Sequence, residues 1–186
     1  KPINSKYHET TASLSYDERT LYFISARPGG YGGRDIYRAR KNIDGDWHQI
    51  ENLGPLINSS FDEDFIFVHP DGKALYFSSK GHNSMGGYDI FKTEILSNGS
   101  FSKPENLGFP VNSPGDDVEF RLSAKGDRGM YTSARPKGIG EKDIYTVKFL
   151  GGGKPLILTT EEQPLSEVSE MTVEELIEPE VKVPEK

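Results

Sequence analysis

The dipeptide Asp-Ile occurs at residues 35–36, 89–90 and 143–144, twice at an interval of 54 residues. The same interval relates Ile3-Asn4-Ser5, Ile57-Asn58-Ser59 and Val111-Asn112-Ser113, then Leu21-Tyr22-Phe23 and Leu75-Tyr76-Phe77, then Asn52-Leu53-Gly54 and Asn106-Leu107-Gly108. Aligned without a gap, the first two units share 18 of 54 positions. An internal repeat of this length means that one supersecondary unit is stacked on copies of itself, because no single unit can bury its apolar face alone.

What the unit is follows from its periodicity. In the second copy, Asp64 to Val68 is a short apolar run, His69-Pro70-Asp71-Gly72 is a turn, and Ala74 to Ser79 is a second run. A glycine-rich segment leads to Tyr88–Ile95, and Ser97-Asn98-Gly99 turns the chain into Phe101–Asn106. Asn42 to Asp46 is the corresponding hairpin turn before Trp47 in the first copy. Four antiparallel strands in one unit make one blade of a β-propeller. The expected class is therefore all-β, a propeller segment of about three four-stranded antiparallel blades. The expected boundaries are 1–56, 57–110 and 111–158, with the last strand of the third blade the least defined, followed by an acidic flexible linker over 159–186.

Composition agrees with many short strands: 34% apolar residues, 20 glycines and 12 prolines. The net charge of −7 is concentrated in residues 161–186, which hold nine glutamates and two lysines, so the repeat body is close to neutral. A neutral body offers no basic footprint for nucleic acid. No apolar run is long enough for a membrane span, and Lys1 opens onto a repeat without a leader-like apolar stretch. Without cysteine there is neither a disulfide framework nor a thiolate metal site. The acidic segment is expected to be disordered, with Thr172 and Glu175 forming a capping-box pattern that could start a transient turn of helix.

The loop Gly29-Gly30-Tyr31-Gly32-Gly33-Arg34 looks at first like a phosphate cradle. Such cradles lead into a helix, whose N-terminus helps to hold the anion. Here Asp35–Arg40 alternates as a strand does, so the expected role of Gly32, Gly33, Gly86, Gly87 and Gly140 is structural. The aspartates that follow, Asp35, Asp89 and Asp143, are expected to accept loop N–H bonds and lock the turn into the next strand. Each aromatic doublet, Tyr22-Phe23 and Tyr76-Phe77, and its counterpart Met130-Tyr131, alternates faces, so one member is expected to pack between blades. Arg27 and Arg135, with Lys80 nearby in the middle copy, share one loop and are expected to project from one rim as possible interaction points.

No catalytic, cofactor or metal site emerges. Asp62-Glu63-Asp64 and Asp116-Asp117 could offer oxygen ligands to a cation such as calcium, but the first copy has His8-Glu9 there and no EF-hand spacing occurs. His8, His48, His69 and His82 share no ligand spacing, and no activated nucleophile is recognisable. Two carboxylates could converge across blades for glycan cleavage, yet nothing in the sequence selects a pair.

The segments Pro70-Asp71-Gly72-Lys73, Leu75-Tyr76-Phe77-Ser78-Ser79, Gly86-Gly87-Tyr88-Asp89-Ile90-Phe91 and Glu105-Asn106-Leu107-Gly108 together resemble the TolB-type propeller repeat. More narrowly, they are similar to the version in large OmpA-family envelope proteins of Bacteroidetes-type bacteria, including peptidoglycan-associated components of the type IX secretion system. The resemblance covers residues 1 to 150, although only the middle copy has the Pro-Asp turn. It implies a non-catalytic scaffold of the periplasm, associated with the outer membrane or cell wall. Its partners would be envelope proteins, with peptidoglycan bound through domains outside this chain. It also implies that these blades form the C-terminal part of a larger propeller. A glycan-binding or glycan-cleaving propeller is the alternative.

Overall fold

The computed structural model describes residues 3–136, 138–150 and 156–158. The acidic segment 159–186, with the Thr172/Glu175 pattern, lies outside the described residues. Among the described residues all elements are strands. The first sheet contains β1 (Glu9–Leu14), β2 (Thr20–Ser25), β3 (Asp35–Lys41) and β4 (Trp47–Asn52), and the second β5 (Glu63–Val68), β6 (Ala74–Ser79), β7 (Asp89–Glu94) and β8 (Glu105–Asn106). The third contains β9 (Asp117–Leu122), β10 (Arg128–Ser133), β11 (Asp143–Leu150) and β12 (Leu156–Leu158). Each sheet is antiparallel with its strands in chain order, the meander of a propeller blade. Among the described residues no helix is long and apolar enough to cross a membrane.

The fourth strand of the second blade is shorter than the apolar pattern suggests. Phe101 makes only an isolated bridge to Ile95 before the ladder resumes at Glu105–Asn106. Pro104 has no N–H to donate, and the Ser102 hydroxyl accepts the Glu94 N–H at 2.9 Å in place of a backbone partner.

The blades stack through two shared cores. Between blades one and two, Tyr22, Ile24 and Ile36 meet Ile66, Val68, Leu75, Phe77 and Phe91. Between blades two and three, Ala74, Tyr76 and Ile90 meet Val111, Phe120, Tyr131 and Val147. A third cluster on the free face of blade one gathers Phe23, Tyr37 and Ala39, with Ile3, Trp47 and Ile50 against it. This corrects the expectation that one of each aromatic pair is buried. Both members of Tyr22-Phe23 and of Tyr76-Phe77 are buried: blade two is covered on both faces, and in blade one Phe23 is covered by Tyr37, Arg27 and the Ile3, Trp47 and Ile50 side chains of its own blade. Met130, on the uncovered face of blade three, is exposed.

Candidate functional site

The glycine loop is a socket for the next blade. A Cβ built on Gly32 would lie 1.8 Å from the Phe61 carbonyl oxygen, and one on Gly86 would lie 2.5 Å from that of Pro114. Neither glycine needs a positive φ; what each supplies is closeness, letting the backbone that leads into the following blade lie against the loop. Gly33 and Gly87 face Asp62 and Asp116 in the same way, a Cβ coming within 2.5 and 2.1 Å of the carboxylate oxygens. In blade three the socket is altered: Gly140 is free of close contacts from another blade, and Glu141 stands where the second glycine was.

The Asp-Ile aspartate fixes the loop from below. Asp35 accepts the Tyr31 and Gly32 N–H groups at 2.6 and 2.9 Å, and the Asn52 amide at 2.7 Å. Asp89 accepts the Met85 N–H at 2.7 Å and the Asn106 amide at 2.8 Å. Asp143 accepts the Ile139 N–H at 2.8 Å and the Gly140 N–H at 3.2 Å.

The chain of bonds then crosses to the next blade. Asn58 donates to the Asn52 side-chain oxygen at 2.8 Å and brackets Ile36, accepting its N–H at 2.8 Å and donating to its carbonyl at 3.0 Å. Asn112 repeats this on Asn106 and Ile90 at 2.7, 2.8 and 2.9 Å. A side-chain amide thereby imitates one residue of strand, continuing the ladder where β4 or β8 has ended.

The two rim arginines do not project. The Arg27 guanidinium lies 5.0 and 5.1 Å over the stacked rings of Phe23 and Tyr37, and donates to the Ile3 carbonyl at 2.6 Å and the Ser25 hydroxyl at 3.0 Å. Arg135 does the same over Tyr131 and Tyr145, donating to the carbonyls of Val111 and Pro110 and to Ser133. A cation over an aromatic pair recovers electrostatic attraction that a free loop charge would lack, which is the physical reason for the inward pose. Lys80 likewise lies over the Tyr88 ring, at 4.5 Å. In the middle blade the arginine position is Gly81, and His82 fills the vacated place. Its ring packs 6.0 and 5.2 Å from Phe77 and Phe91, and Nε2–H donates to the Ile57 carbonyl at 2.9 Å.

The acidic positions split by role. Asp62 and Asp64 of blade two hold Arg34 of blade one, at 3.6 and 3.2 Å, and Arg34 also donates to the Tyr88 hydroxyl. Burial pushes the Tyr88 phenol up to about 12. Asp116 is partly buried, which works against its charge, but the Tyr88 N–H and the Lys142 ammonium at 3.4 Å hold it below the ordinary carboxylate range.

Deeper in, Glu9, Glu63 and Asp117 occupy equivalent places, each accepting from two serines of its own unit. Glu63 is fully buried, its Oε1 accepts three bonds while Oε2 has no partner among the described residues, and burial raises it to about 7. Among the described residues no group of three His, Asp or Glu side chains is placed to hold a metal ion.

Two surfaces remain that could meet another molecule. The first is a cleft of about 260 Å³ where the first strands of the three blades run side by side, lined by Thr11, Asp64, Phe65, Glu119 and Lys142 among others. Irregular pairing marks each first strand at this level, with Phe65 and Glu119 at φ 41° and 60°. Such bulges re-aim side chains.

The second surface is the rim formed by the glycine loops and the lead-in to each blade, which lie at the same end of a four-strand meander. Its loop tips are Tyr31, Met85 and Ile139, all more than half exposed, and Phe61 and Phe109 are exposed in the segments that lead into blades two and three. Each tip's own N–H is the one bonded by the Asp-Ile aspartate. The sequence carried this signal, since 31, 85 and 139 are 54 apart. Three different residue types hid it from a search for identity.

No protein-family profile and no curated protein sequence matches the chain. Solved structures do. The chain is similar to TolB from Acinetobacter baumannii, with TM-score 0.52 and 23% identity over 80% of this chain and 31% of that one. It is also similar to a protein assigned as TolB from Agrobacterium tumefaciens, with TM-score 0.54 and 19% identity over 84% of this chain and 49% of that one. An α-L-arabinofuranosidase from Lactobacillus brevis matches with TM-score 0.51 and 16% identity over 84% of this chain and 55% of that one. At these identities the likeness is one of fold. The chain spans about a third to a half of the length of the two TolB structures.

Proposed function

We propose that the chain is a non-catalytic scaffold of the periplasmic envelope that holds a partner protein on its glycine-loop rim. The observation that carries the reading is the row of Tyr31, Met85 and Ile139, apolar side chains held out at one end of the propeller on backbone that Asp35, Asp89 and Asp143 pin from beneath. Exposed apolar side chains repeated along one rim offer anchor points to a protein partner, and fixing their backbone beforehand lowers the entropy lost on binding. Asp62 and Asp116, the three Asp-Ile aspartates and the two loop arginines are committed to the socket, the loop amides and the cation stacks. The envelope setting, the association with outer membrane or cell wall and a role beside a secretion apparatus rest on the sequence resemblance. Peptidoglycan attachment would come through domains outside this chain.

A second reading, glycan binding or cleavage, is favoured by one observation: Asp64 and Glu119 line the same cleft. One paired experiment separates the two. A photo-crosslinking residue at position 31, 85 or 139 should trap the same envelope protein from all three sites, identified by mass spectrometry. Replacing the three tips by serine should abolish that capture. Release of sugar from peptidoglycan fragments or envelope polysaccharide, lost on Asp64→Asn or Glu119→Gln, would overturn the scaffold reading in favour of the second.

A further inference from the structure

Each blade repeats a row of three side chains across its first three strands, at the end where the glycine loops lie. The rows are Glu9, Ser25 and Asp35, then Glu63, Ser79 and Asp89, then Asp117, Ser133 and Asp143, neighbours in each row being directly opposite in the ladder. Opposite residues share a face, so every row sets two acids beside one serine. In blades one and three an arginine answers them. Arg27 donates to the Ser25 hydroxyl and lies 3.4 Å from the Glu9 carboxylate, and Arg135 donates to the Ser133 hydroxyl, which itself donates to Asp117. Burial works against the Glu9 charge, yet Ser5, Ser25 and Arg27 hold it below its ordinary range.

Blade two has the acids without the arginine. Gly81 stands there, and Ser59 closes over the carboxylate instead, so that a Cβ built on Gly81 would lie 2.2 Å from the Ser59 hydroxyl oxygen. His82 takes up the ring stack and the Ile57 carbonyl and leaves the acid alone. The other charges around Glu63 supply no counter-ion: Asp89 stands beyond Ser79, Asp35 adds negative charge from blade one, Arg34 is held by Asp62 and Asp64, and Lys80 lies over Tyr88. A fully buried carboxyl with one unpaired oxygen and two acidic neighbours is far less costly neutral than charged. From this we infer that a proton on Glu63 replaces the missing arginine and works the seam between blades one and two, which stays shut while Glu63 is neutral and opens to hydrate the charge when it ionises.

The route from Glu63 to the rim is short. Ser59 donates its N–H and its hydroxyl to Glu63 Oε1 at 3.1 and 2.6 Å, the Ser59 hydroxyl accepts the Phe61 N–H at 3.1 Å, and the Phe61 carbonyl packs against Gly32, next to the tip Tyr31. The Glu63 N–H itself crosses the seam to the Arg34 carbonyl at 2.9 Å, as the Asp117 N–H crosses the next seam to the Tyr88 carbonyl. Burial raises Asp117 as well, but Ser133, Ser113 and Arg135 oppose the rise, so the second seam should respond less. The shut seam keeps the Glu63 proton up to about 7, against 4.5 for a carboxyl in water. Its stabilisation is therefore complete below about 4.5, shrinks as pH rises toward 7 and levels off above that. The inference concerns the shape of the rim and does not depend on what binds there.

Amide hydrogen exchange of the whole chain, resolved by residue at pH 5, 6, 7 and 8 and corrected for the intrinsic pH dependence of exchange, tests it. Opening at the Ser59, Phe61 and Glu63 amides should grow about tenfold or more between pH 5 and pH 7 and level off by pH 8, while the matching Ser113, Gly115 and Asp117 amides change less. Glu63→Gln keeps the neutral shape and should hold the first seam at its pH 5 behaviour throughout. His82→Gln removes the imidazole, the other kind of side chain at this seam able to change charge in that range, keeps a donor for the Ile57 carbonyl, and should leave the rise in place. In the wild-type chain, where no variant has to fold, the absence of a rise or equal rises at the two seams overturns the inference. So does a rise that persists in Glu63→Gln or disappears in His82→Gln.

Discussion

Asn58 is the most exposed test of the claim that a side-chain amide joins one blade to the next. Replacing it with alanine removes three hydrogen bonds from a residue that is 1% exposed. The losses differ in kind. The Ile36 carbonyl still accepts the Leu53 N–H at 3.0 Å, and the Asn52 oxygen still accepts the Gly54 N–H at 2.8 Å, so each of those bonds should count for about 0.5–1.5 kcal/mol. The Ile36 N–H loses the bond that Asn58 provides within a fully buried residue, which costs about 1–3 kcal/mol.

Together the expected destabilisation is about 2–6 kcal/mol, a large share of the roughly 5–15 kcal/mol that holds a domain together. At about 2–4 °C per kcal/mol for a chain of this size, the melting temperature should fall by roughly 4–24 °C. Asn58→Asp is the sharper variant. It keeps the shape and the acceptor for Ile36 N–H, but turns the donor into a second oxygen facing the Ile36 carbonyl and the Asn52 oxygen, so it should not rescue. Because Asn52 in turn supports Asp35, the Tyr31 and Gly32 amides should also exchange faster in both variants. A melting shift below about 1 °C for alanine, or wild-type stability for aspartate, would refute the reasoning.

Gly32→Ala should destabilise by about 2 kcal/mol or more, since the added Cβ meets the Phe61 backbone oxygen, while Gly140→Ala should change stability by less than about 0.5 kcal/mol; urea melts of the pair check it. Asp89→Ala should cost about 1–3 kcal/mol and Asp143→Ala less, because Asp89 is buried and also holds Asn106, whereas Asp143 bonds only loop N–H groups among the described residues; calorimetry would show the gradient. Glu63 supplies a pH signature: a folded value near 7 against an unfolded one near 4.5 means the folded state binds the extra proton, so stability falls as pH rises through that window. Glu63→Gln should flatten that fall and be the more stable protein at pH 8, by roughly 3 kcal/mol at most; urea titrations at pH 5 and pH 8 showing parallel behaviour of the two proteins would count against it.

Much of this fold was legible because the repeat makes one local pattern count three times. Ala74–Ser79 and its equivalents alternate apolar faces, and the turns are written in Pro-Asp-Gly, Asn-Gly and Asp-Gly, so strand order followed from short-range chemistry. What the sequence could not display is the partner of each polar group. Asn58 and Asn112 look like turn residues, yet they bond to a strand 22 positions earlier. Arg27 and Arg135 look like free loop charges until the aromatic pairs beneath them are placed in three dimensions.

The same reasoning explains why identity across copies was a poor guide to the surfaces that act. Positions that build a junction are constrained by contacts present at both junctions, so they stay alike: Gly32 with Gly86, Asn58 with Asn112, Asp35 with Asp89. Where the neighbouring chemistry differs, the residue differs with it. His82 takes over the carbonyl and the ring stack left by a missing arginine, and Glu141 stands where the other copies have a glycine. In a stack of near-identical blades a departure from the repeat therefore marks a place whose surroundings differ from those of the other copies. The tips Tyr31, Met85 and Ile139 keep apolar character while changing shape, as a surface that fits an unlike partner must, whereas the Asp-Ile aspartate beneath each tip does not change at all.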